Sequence, residues 1–485
     1  MANRNSLFSI GAARRPGRPH WTPASLLVLT LSLLSCQSPP EAVRPNLIVI
    51  FCDDLGYGDL GSFGHPTIRT PNLDRMAREG QKWTHFYSAA SVCTPSRAAL
   101  LTGRLPVRNG MMSPKHRVLF PDSASGIPQE EVTLAEALRN AGYATACVGK
   151  WHLGHLPQFL PTNNGFDSYF GIPYSNDMDQ TRKESTRDLV KEARIEYWNV
   201  PLLRDREIVE RPADQRTITR RYSEEAVRFI EENRERPFFL YLAHNLPHVP
   251  LFASEDFLGT SRRGLYGDVV EEIDHGVGRI MQALTGLGIA ERTLVVFTSD
   301  NGPWLPYREH GGSAGLLREG KGSTWEGGMR EPTIFWWPGK LDAGVVMEMG
   351  STLDLFSTFC EIAGAEVPSD RIMDSYDLSP VLFGSGESPR KSMFFYRESK
   401  LYAVRQGEFK AHFITKPVYT RRTETETHHD PPLLYHLGRD PGEQYDVAHL
   451  YPDVIQDMEK LVSDHRSEMV LGEDRLAQRS QDAKR

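Results

Sequence analysis

Asn46-Leu47-Ile48-Val49-Ile50-Phe51-Cys52-Asp53-Asp54 passes without a break from apolar residues to two adjacent carboxylates. A strand with one wet face alternates apolar and polar residues, so a run that is apolar throughout fits a strand buried on both faces, as in the parallel sheets of α/β proteins. The strand predicted over Asn46–Phe51 thus ends at Asp53-Asp54, and the carboxyl ends of strands are where open α/β sheets bind ligands. The same pattern returns along the chain. Tyr143 to Gly149 reads as a strand delivering Lys150-Trp151-His152, Pro237 to Ala243 as one that empties into Asn245 to His248, and Thr293 to Thr298 as one that ends at Asp300-Asn301.

Between these strands, Thr70-Pro71 opens a helix through Arg78, Gln81 to Ala90 reads as a further strand, and Thr133-Leu134-Ala135-Glu136 is a capping box whose helix Gly142 closes. A helix from Gly267 to Leu287 precedes the Thr293 strand. From Asp354 the character changes: a helix through Ala363, a loop with Pro368 and Asp370, then short alternating segments at Ser392–Tyr396, Leu401–Arg405 and Phe409–Phe413. These predict a smaller antiparallel sheet, followed by a helix from Pro452 to Ser467. Arg421 to His429 is polar and repetitive in Thr and Glu, so His428-His429 read as part of a solvated loop rather than a metal site. The charged residues after Glu473 are expected to fray. The organisation is then 1–35 export signal, 36–44 linker, 45–353 principal α/β domain, 354–472 C-terminal subdomain and 473–485 tail.

The 485 residues, 39% hydrophobic and 25% charged, are ordinary for a globular protein. A net charge of -7 argues against a nucleic-acid-binding surface. Arg4, Arg14, Arg15 and Arg18, the apolar run Leu26 to Leu34, and Ser35-Cys36 form the three regions of an export signal. That apolar run is shorter than the ~20 residues a membrane crossing needs. Leu33-Leu34-Ser35-Cys36 has the shape of a bacterial lipobox, which makes Cys36 the lipidated first residue of the mature chain; a plain secretory signal is the alternative. The expected location is periplasmic or cell-surface, with a lipid anchor in the outer membrane as the one membrane contact. Cys52, Cys147 and Cys360 each lie in an apolar stretch and read as buried hydrophobes, so no disulfide framework is expected.

Cys93-Thr94-Pro95-Ser96-Arg97, running on into Ala98-Ala99-Leu100-Leu101-Thr102-Gly103-Arg104, carries the chemistry. Thr94 suits an N-cap and Pro95 the first helical position, which puts Cys93 just ahead of a helix N-terminus that favours an anion, with Arg97 one turn in. The run resembles the sulfatase signature. That resemblance implies an alkaline-phosphatase-like fold, a large mixed sheet flanked by helices, and a cysteine that a dedicated maturation enzyme oxidises to formylglycine. The hydrated aldehyde then offers one hydroxyl to the sulfur of a sulfate ester, and the second hydroxyl releases sulfate and regenerates the aldehyde.

The other site residues follow from the same resemblance. Gly149-Lys150-Trp151-His152-Leu153-Gly154 resembles the second sulfatase signature, with Lys150 on the formylglycine hydroxyl and a sulfate oxygen and His152 taking the proton that drives elimination. Asp53, Asp54, Asp300 and Asn301, with modified Cys93, match the positions that hold Ca²⁺ or Mg²⁺, and their oxygen donors suit a hard cation. His248 and Lys321 match residues that bind sulfate and assist the leaving group, and Ser175 matches a polar substrate contact. His155 and His244 lie near these motifs without an assigned role. Gly56-Tyr57-Gly58-Asp59-Leu60 and Lys410-Ala411-His412-Phe413 resemble the arylsulfatase A branch of the family; Arg263 to Asp268 and His436 to Glu443 resemble the N-acetylgalactosamine-6-sulfatase branch. The implied substrate is a sulfate monoester on a sugar, of the galactose or N-acetylgalactosamine 6-sulfate type, or an aryl sulfate. A phosphonate or phosphate ester hydrolase of the same superfold and an inactive sulfoglycan-binding surface protein are the alternatives.

Overall fold

The computed structural model describes residues 44–419 and 425–480, so the export signal, Cys36 and the linker before residue 44 lie outside the described residues. Fourteen strands follow in chain order: β1 (Asn46–Cys52), β2 (Gln81–Tyr87), β3 (Ala144–Gly149), β4 (Ser168–Gly171), β5 (Leu202–Arg204), β6 (Glu207–Glu210), β7 (Phe238–Ala243), β8 (Thr293–Ser299), β9 (Thr333–Trp336), β10 (Gly344–Ser351), β11 (Ser392–Arg397), β12 (Lys400–Gln406), β13 (Phe409–Thr415) and β14 (Thr427–His436). The first ten form one mixed sheet in the order β10-β2-β9-β8-β1-β7-β3-β4-β5-β6, and the last four form an antiparallel sheet in chain order. This is the alkaline-phosphatase-like architecture.

The unbroken apolar character of β1 has a direct cause. Ile48, Ile50 and Cys52 pack on one face with residues of the helices Pro71–Glu79, Ile218–Glu232 and Leu265–Gly286, while Leu47, Val49 and Phe51 pack on the other with the helices Cys93–Thr102, Leu134–Asn140 and Asp354–Ala363. All six side chains are 0% exposed. Burying each aliphatic or aromatic side chain of this kind is worth about 1.5–3 kcal/mol, and the one polar residue of the strand, Asn46 at its start, is buried with its amide donating to Thr293 Oγ1 at 3.0 Å. Cys52, Cys147 and Cys360 are likewise buried free thiols.

The register of the four central strands, β8-β1-β7-β3, builds the site. They run parallel, with Phe51 level with Ala243 and Thr298, Cys52 with Ser299, and Gly149 with Ala243. The residues that follow, Asp53, Asp300, His244 and Lys150, therefore emerge along one edge. Gly149 has to be glycine: its φ is +112°, and a Cβ there would lie 1.9 Å from the Ala243 carbonyl oxygen.

The second sheet packs Leu401, Val404, Ala411 and Leu434 with Ile455, Met458 and Val462 of the helix Pro452–Ser467. It meets the large sheet through Tyr87, Met329 and Met349 against Met393, Phe395 and Ala403. Beside this seam, Lys410 Nζ lies 2.9 Å from Glu326 Oε1 and 3.2 Å from Glu443 Oε1, and His412 Nε2 lies 2.6 Å from Glu443 Oε1. Two expectations are corrected. Thr427 to His429 are not loop but the start of β14, an edge strand on β13; its Pro431-Pro432 sit in the break of register between the pairs His412–Leu433 and Ile414–His428, where a missing N–H is tolerated. Nor do residues 473–480 fray. Leu476 is wholly buried, and Arg479 donates to Asp122 and Arg475 to Glu130, each at 2.9 Å, so one apolar side chain and two ion pairs dock the charged segment.

Candidate active site

The helix that carries Cys93 starts at Cys93 itself, with extended Val92 as its N-cap, rather than at a Thr94 cap. The Thr94 hydroxyl has other work: it donates to the His152 carbonyl at 3.0 Å and accepts from the Leu119 N–H at 3.2 Å. That ties the helix start to the turn after β3. His152, at φ +59°, and Asp54, at φ +64°, hold left-handed backbone conformations at two of the strand ends, the kind of strained turn that gathers at functional sites.

Behind the Cys93 sulfur lies a closed network of charges. Asp53 Oδ1 accepts from Cys93 Sγ at 3.1 Å and has Arg97 Nη2 3.7 Å away, and Asp53 Oδ2 accepts from Lys150 Nζ. Lys150 also donates to Ser175 Oγ at 3.2 Å. Arg97 donates to Asp300 Oδ2 through Nε at 3.1 Å and Nη2 at 2.8 Å, and to the Lys150 carbonyl through Nη1 at 3.0 Å. Asp54 accepts from Lys321 Nζ at 2.7 Å and from Asn301 Nδ2 at 2.7 Å, and His248 Nε2 stands 3.6 Å from it. Lys321 Nζ reaches Cys93 Sγ at 3.5 Å. The structure thus gathers every predicted site residue among those described. His155, beside Tyr174, and His244, beside Tyr222, point elsewhere.

Burial sets the protonation states. It drives up the carboxyl of Asp53, but Lys150, His248, Arg97 and Lys321 outweigh it and hold Asp53 well below the carboxylate range. Asp54 is pushed up to about 6 by burial, with Asp53 adding to it, and Asp300 to about 7 by burial and Asp53. Burial, then Asp53, raises the Cys93 thiol well above its ordinary value, which disfavours a thiolate. Burial and Lys150 hold His152 neutral. Because the Leu119 carbonyl 2.9 Å from His152 Nε2 accepts only, Nε2 carries the proton and the partnerless Nδ1 is left as a proton acceptor.

The donor set suits a divalent cation. Single ligand atoms from Asp53, Asp54, Cys93 and His248 lie within 4.8 Å of one another, and Asn301 Oδ1 is a buried acceptor without a donor among the described residues. Asp300 is outside that group because Arg97 holds its Oδ2, while its Oδ1 accepts from the Asp54 N–H at 3.2 Å. The Cys93 thiol stands where the oxygens of a modified side chain would face the same ligands.

Above the thiol is a cavity of about 130 Å³, lined by Cys93, His152, Ser175, His248 and Lys321 together with Asp177, Trp304, Arg117 and Tyr419. Of these, Trp304, Arg117 and Tyr419 were not singled out in the sequence, where nothing local marks them. The Trp304 ring lies 5.2 Å from that of His248, tilted by 48° to it, and sits under Lys321 Nζ at 4.3 Å. Gly322, at φ +83°, lets Tyr419 close on the Lys321 loop, since a Cβ there would lie 1.9 Å from the tyrosine ring. Gly322→Ala is expected to combine backbone strain of about 1–2 kcal/mol with displacement of Tyr419. The checks are a thermal melt and KM, and a variant unchanged in both would refute the packing argument.

The sulfatase family model matches residues 45–365, and the model of the C-terminal region of aryl-sulfatase matches residues 388–484. Human arylsulfatase A is 43% identical over 473 residues, covering 90% of each chain. Dog N-acetylgalactosamine-6-sulfatase is 42% identical over 489 residues, covering 93% of this chain and 91% of its own. The crystal structure of Ps i-CgsB in complex with k-i-k-neocarrahexaose superposes with a TM-score of 0.75 at 31% identity, covering 91% of this chain and 96% of that one. On this sequence likeness, with the cysteine-centred charge network at the strand ends, the chain belongs to the sulfatase family and is a sulfuric ester hydrolase.

Proposed function

We propose that the chain removes a sulfate monoester from a sugar, of the galactose or N-acetylgalactosamine 6-sulfate type, and accepts small aryl sulfates as surrogates. The observation that carries this is the cavity: its floor is Cys93, and its walls set Lys321, Ser175, His152 and His248 around a space that fits a sulfate group. The sugar assignment draws support from the N-acetylgalactosamine-6-sulfatase relative and from the carbohydrate held by the Ps i-CgsB structure. Formylglycine made from Cys93 by a maturation enzyme supplies, when hydrated, one hydroxyl for attack and one for release. A Ca²⁺ or Mg²⁺ ion held by Asp53, Asp54, Asp300, Asn301 and modified Cys93 supplies charge neutralisation for the sulfate oxygens.

The chain's own groups do the rest. Lys150 and Lys321 hold the sulfate oxygens and the nucleophile from two sides, and Arg97 fixes Asp53 and Asp300 from behind. His152 Nδ1 takes the proton when sulfate leaves. Leaving-group protonation falls to His248 with Lys321. Without substrate His248 is held neutral, by burial first and Lys321 second, and its Nδ1 donates to the Val249 carbonyl. It becomes an acid only when the charge of the bound sulfate favours the imidazolium, so that Nε2 takes up a proton from water. A sugar alcohol needs that proton and an activated phenol does not. His248→Ala is therefore expected to slow a sugar 6-sulfate roughly 10²-fold or more while slowing a nitrophenyl sulfate much less. Equal losses remove His248 from the acid role. A panel of mono-sulfated sugars tests the position: hydrolysis of 2-, 3- or 4-sulfates with 6-sulfates untouched overturns it.

For location we propose export and lipid anchoring through Cys36, supported by the lipobox-like Leu33-Leu34-Ser35-Cys36. In a bacterial host Cys36→Ser is expected to move the protein from the membrane fraction to the soluble one. Equal membrane retention rejects the anchor.

A further inference from the structure

The catalytic cavity opens into an outer chamber of about 530 Å³, and the two share Arg117, Phe120, Trp304 and Tyr419. Among the described residues the chamber is cationic, with Lys115, Arg117, Arg187, Arg397 and Lys416 set against one carboxylate, Glu398. Since the whole chain carries a net charge of -7, this excess is local. Lys416 spends its charge on Glu398, with Nζ 3.0 Å from Oε2.

Arg397 has no such full partner. It is 2% exposed, and its Nη1 donates to the carbonyls of Lys416 at 2.9 Å and Pro417 at 2.8 Å. Among the described residues its Nε and Nη2 have no acceptor, for Glu398 Oε1 is 3.8 Å from Nε, beyond hydrogen-bond reach. The guanidinium sits 4.4 Å from the centre of the Tyr419 ring, and that of Arg117 sits 4.1 Å from the same ring. Tyr419 in turn borders the Cys93 cavity. A buried guanidinium with idle N–H groups is costly unless an acceptor arrives, and its planar fork matches a sulfate or carboxylate.

We propose that Arg397, with Arg117, is a second anion subsite, and that the substrate is a multiply anionic glycan. While one sulfate enters the cavity at Cys93, another sulfate or a uronic carboxylate on the same or the adjoining ring accepts from Arg397 Nε and Nη2. This rests on the proposed sulfatase reaction of the inner cavity and adds a selectivity that the inner cavity lacks.

The test uses the mature enzyme on four substrates: a sugar bearing the scissile sulfate alone, the same sugar with a second sulfate, a disaccharide pairing it with a uronic acid, and a nitrophenyl sulfate. The wild type is expected to show a higher kcat/KM for the doubly charged sugars, and the better of the two identifies the second anion. Arg397→Gln is expected to reduce that preference roughly tenfold or more, chiefly through KM, since hydrogen bonds to charged groups are the strong ones. Arg117→Ala, a change at an exposed side chain, should reduce it less, and added salt should erode it in the wild type. No preference in the wild type, or equal losses on all four substrates in both variants, overturns the subsite. Failure to hydrolyse any of the four, the nitrophenyl sulfate included, overturns the reaction beneath it instead.

Discussion

Cys93→Ala is expected to lose multiple turnover on every sulfate ester by roughly 10⁴-fold or more, as when a nucleophile is removed. Its melting should shift little. The side chain is 2% exposed and small, and truncation removes contacts to Asp53 and Lys321 without opening a large hole. Cys93→Ser separates attack from release: a serine hydroxyl can attack sulfur, but no second hydroxyl remains to expel sulfate, so at most one product is expected per enzyme. Protein made without a maturation enzyme should also be inactive, because burial and Asp53 keep the thiol protonated at neutral pH. The measurements are a product burst counted against enzyme concentration and the mass of the Cys93 peptide. Steady turnover by Cys93→Ala, or by wild-type protein with an unmodified thiol, would falsify the formylglycine mechanism.

How far the sequence could be read depended on whether a residue's role was local. The central strands were legible because burial on both faces forces unbroken apolar runs, and their register then brings Asp53, Lys150 and Asp300 to one edge. The helices Asp354–Ala363 and Pro452–Ser467 fell where their apolar period and flanking residues put them. Thr94 misled because a good capping residue is also a good hydrogen-bonding one, and here His152 and Leu119 take its hydroxyl. β14 was hidden by prolines that an edge strand tolerates at a break in register. The edge strands β6 and β10 gave little signal because their exposed residues need no apolar pattern. Arg117, Arg397 and Tyr419 come from separated segments, so no motif marks the outer chamber. Asp53, Lys150 and Asp300 sit in compact motifs directly after a strand, whereas Lys321, in the long connection between β8 and β9, was legible through the family resemblance alone.

Chelating the divalent cation is expected to stop catalysis while the fold survives, and the effect on stability should depend on pH in a defined direction. Asp54 and Asp300, pushed up to about 6 and about 7 by burial and neighbouring carboxylate charge, hold protons in the metal-free fold at pH values where the unfolded chain has released them. Their folded values lie above the unfolded ones, so they favour the metal-free fold at low pH, and that stability is lost as pH rises through the window between about 4 and about 7. A cation needs the ionised carboxylates, so its binding expels those protons and its affinity should rise with pH until about 7. The melting difference between loaded and chelated enzyme should thus be small near pH 5 and large near pH 8, and binding near neutral pH should release protons to the buffer. Asp300→Ala should lose activity even in excess Ca²⁺, and it should also destabilise the protein by about 3–5 kcal/mol, because Arg97 would keep a buried charge without its main partner. Asp300→Asn separates the two effects, since an amide still accepts from Arg97 while removing the carboxylate charge and its titration. An unchanged rate after chelation, or a melting difference that ignores pH, would show that these carboxylates do not hold the metal.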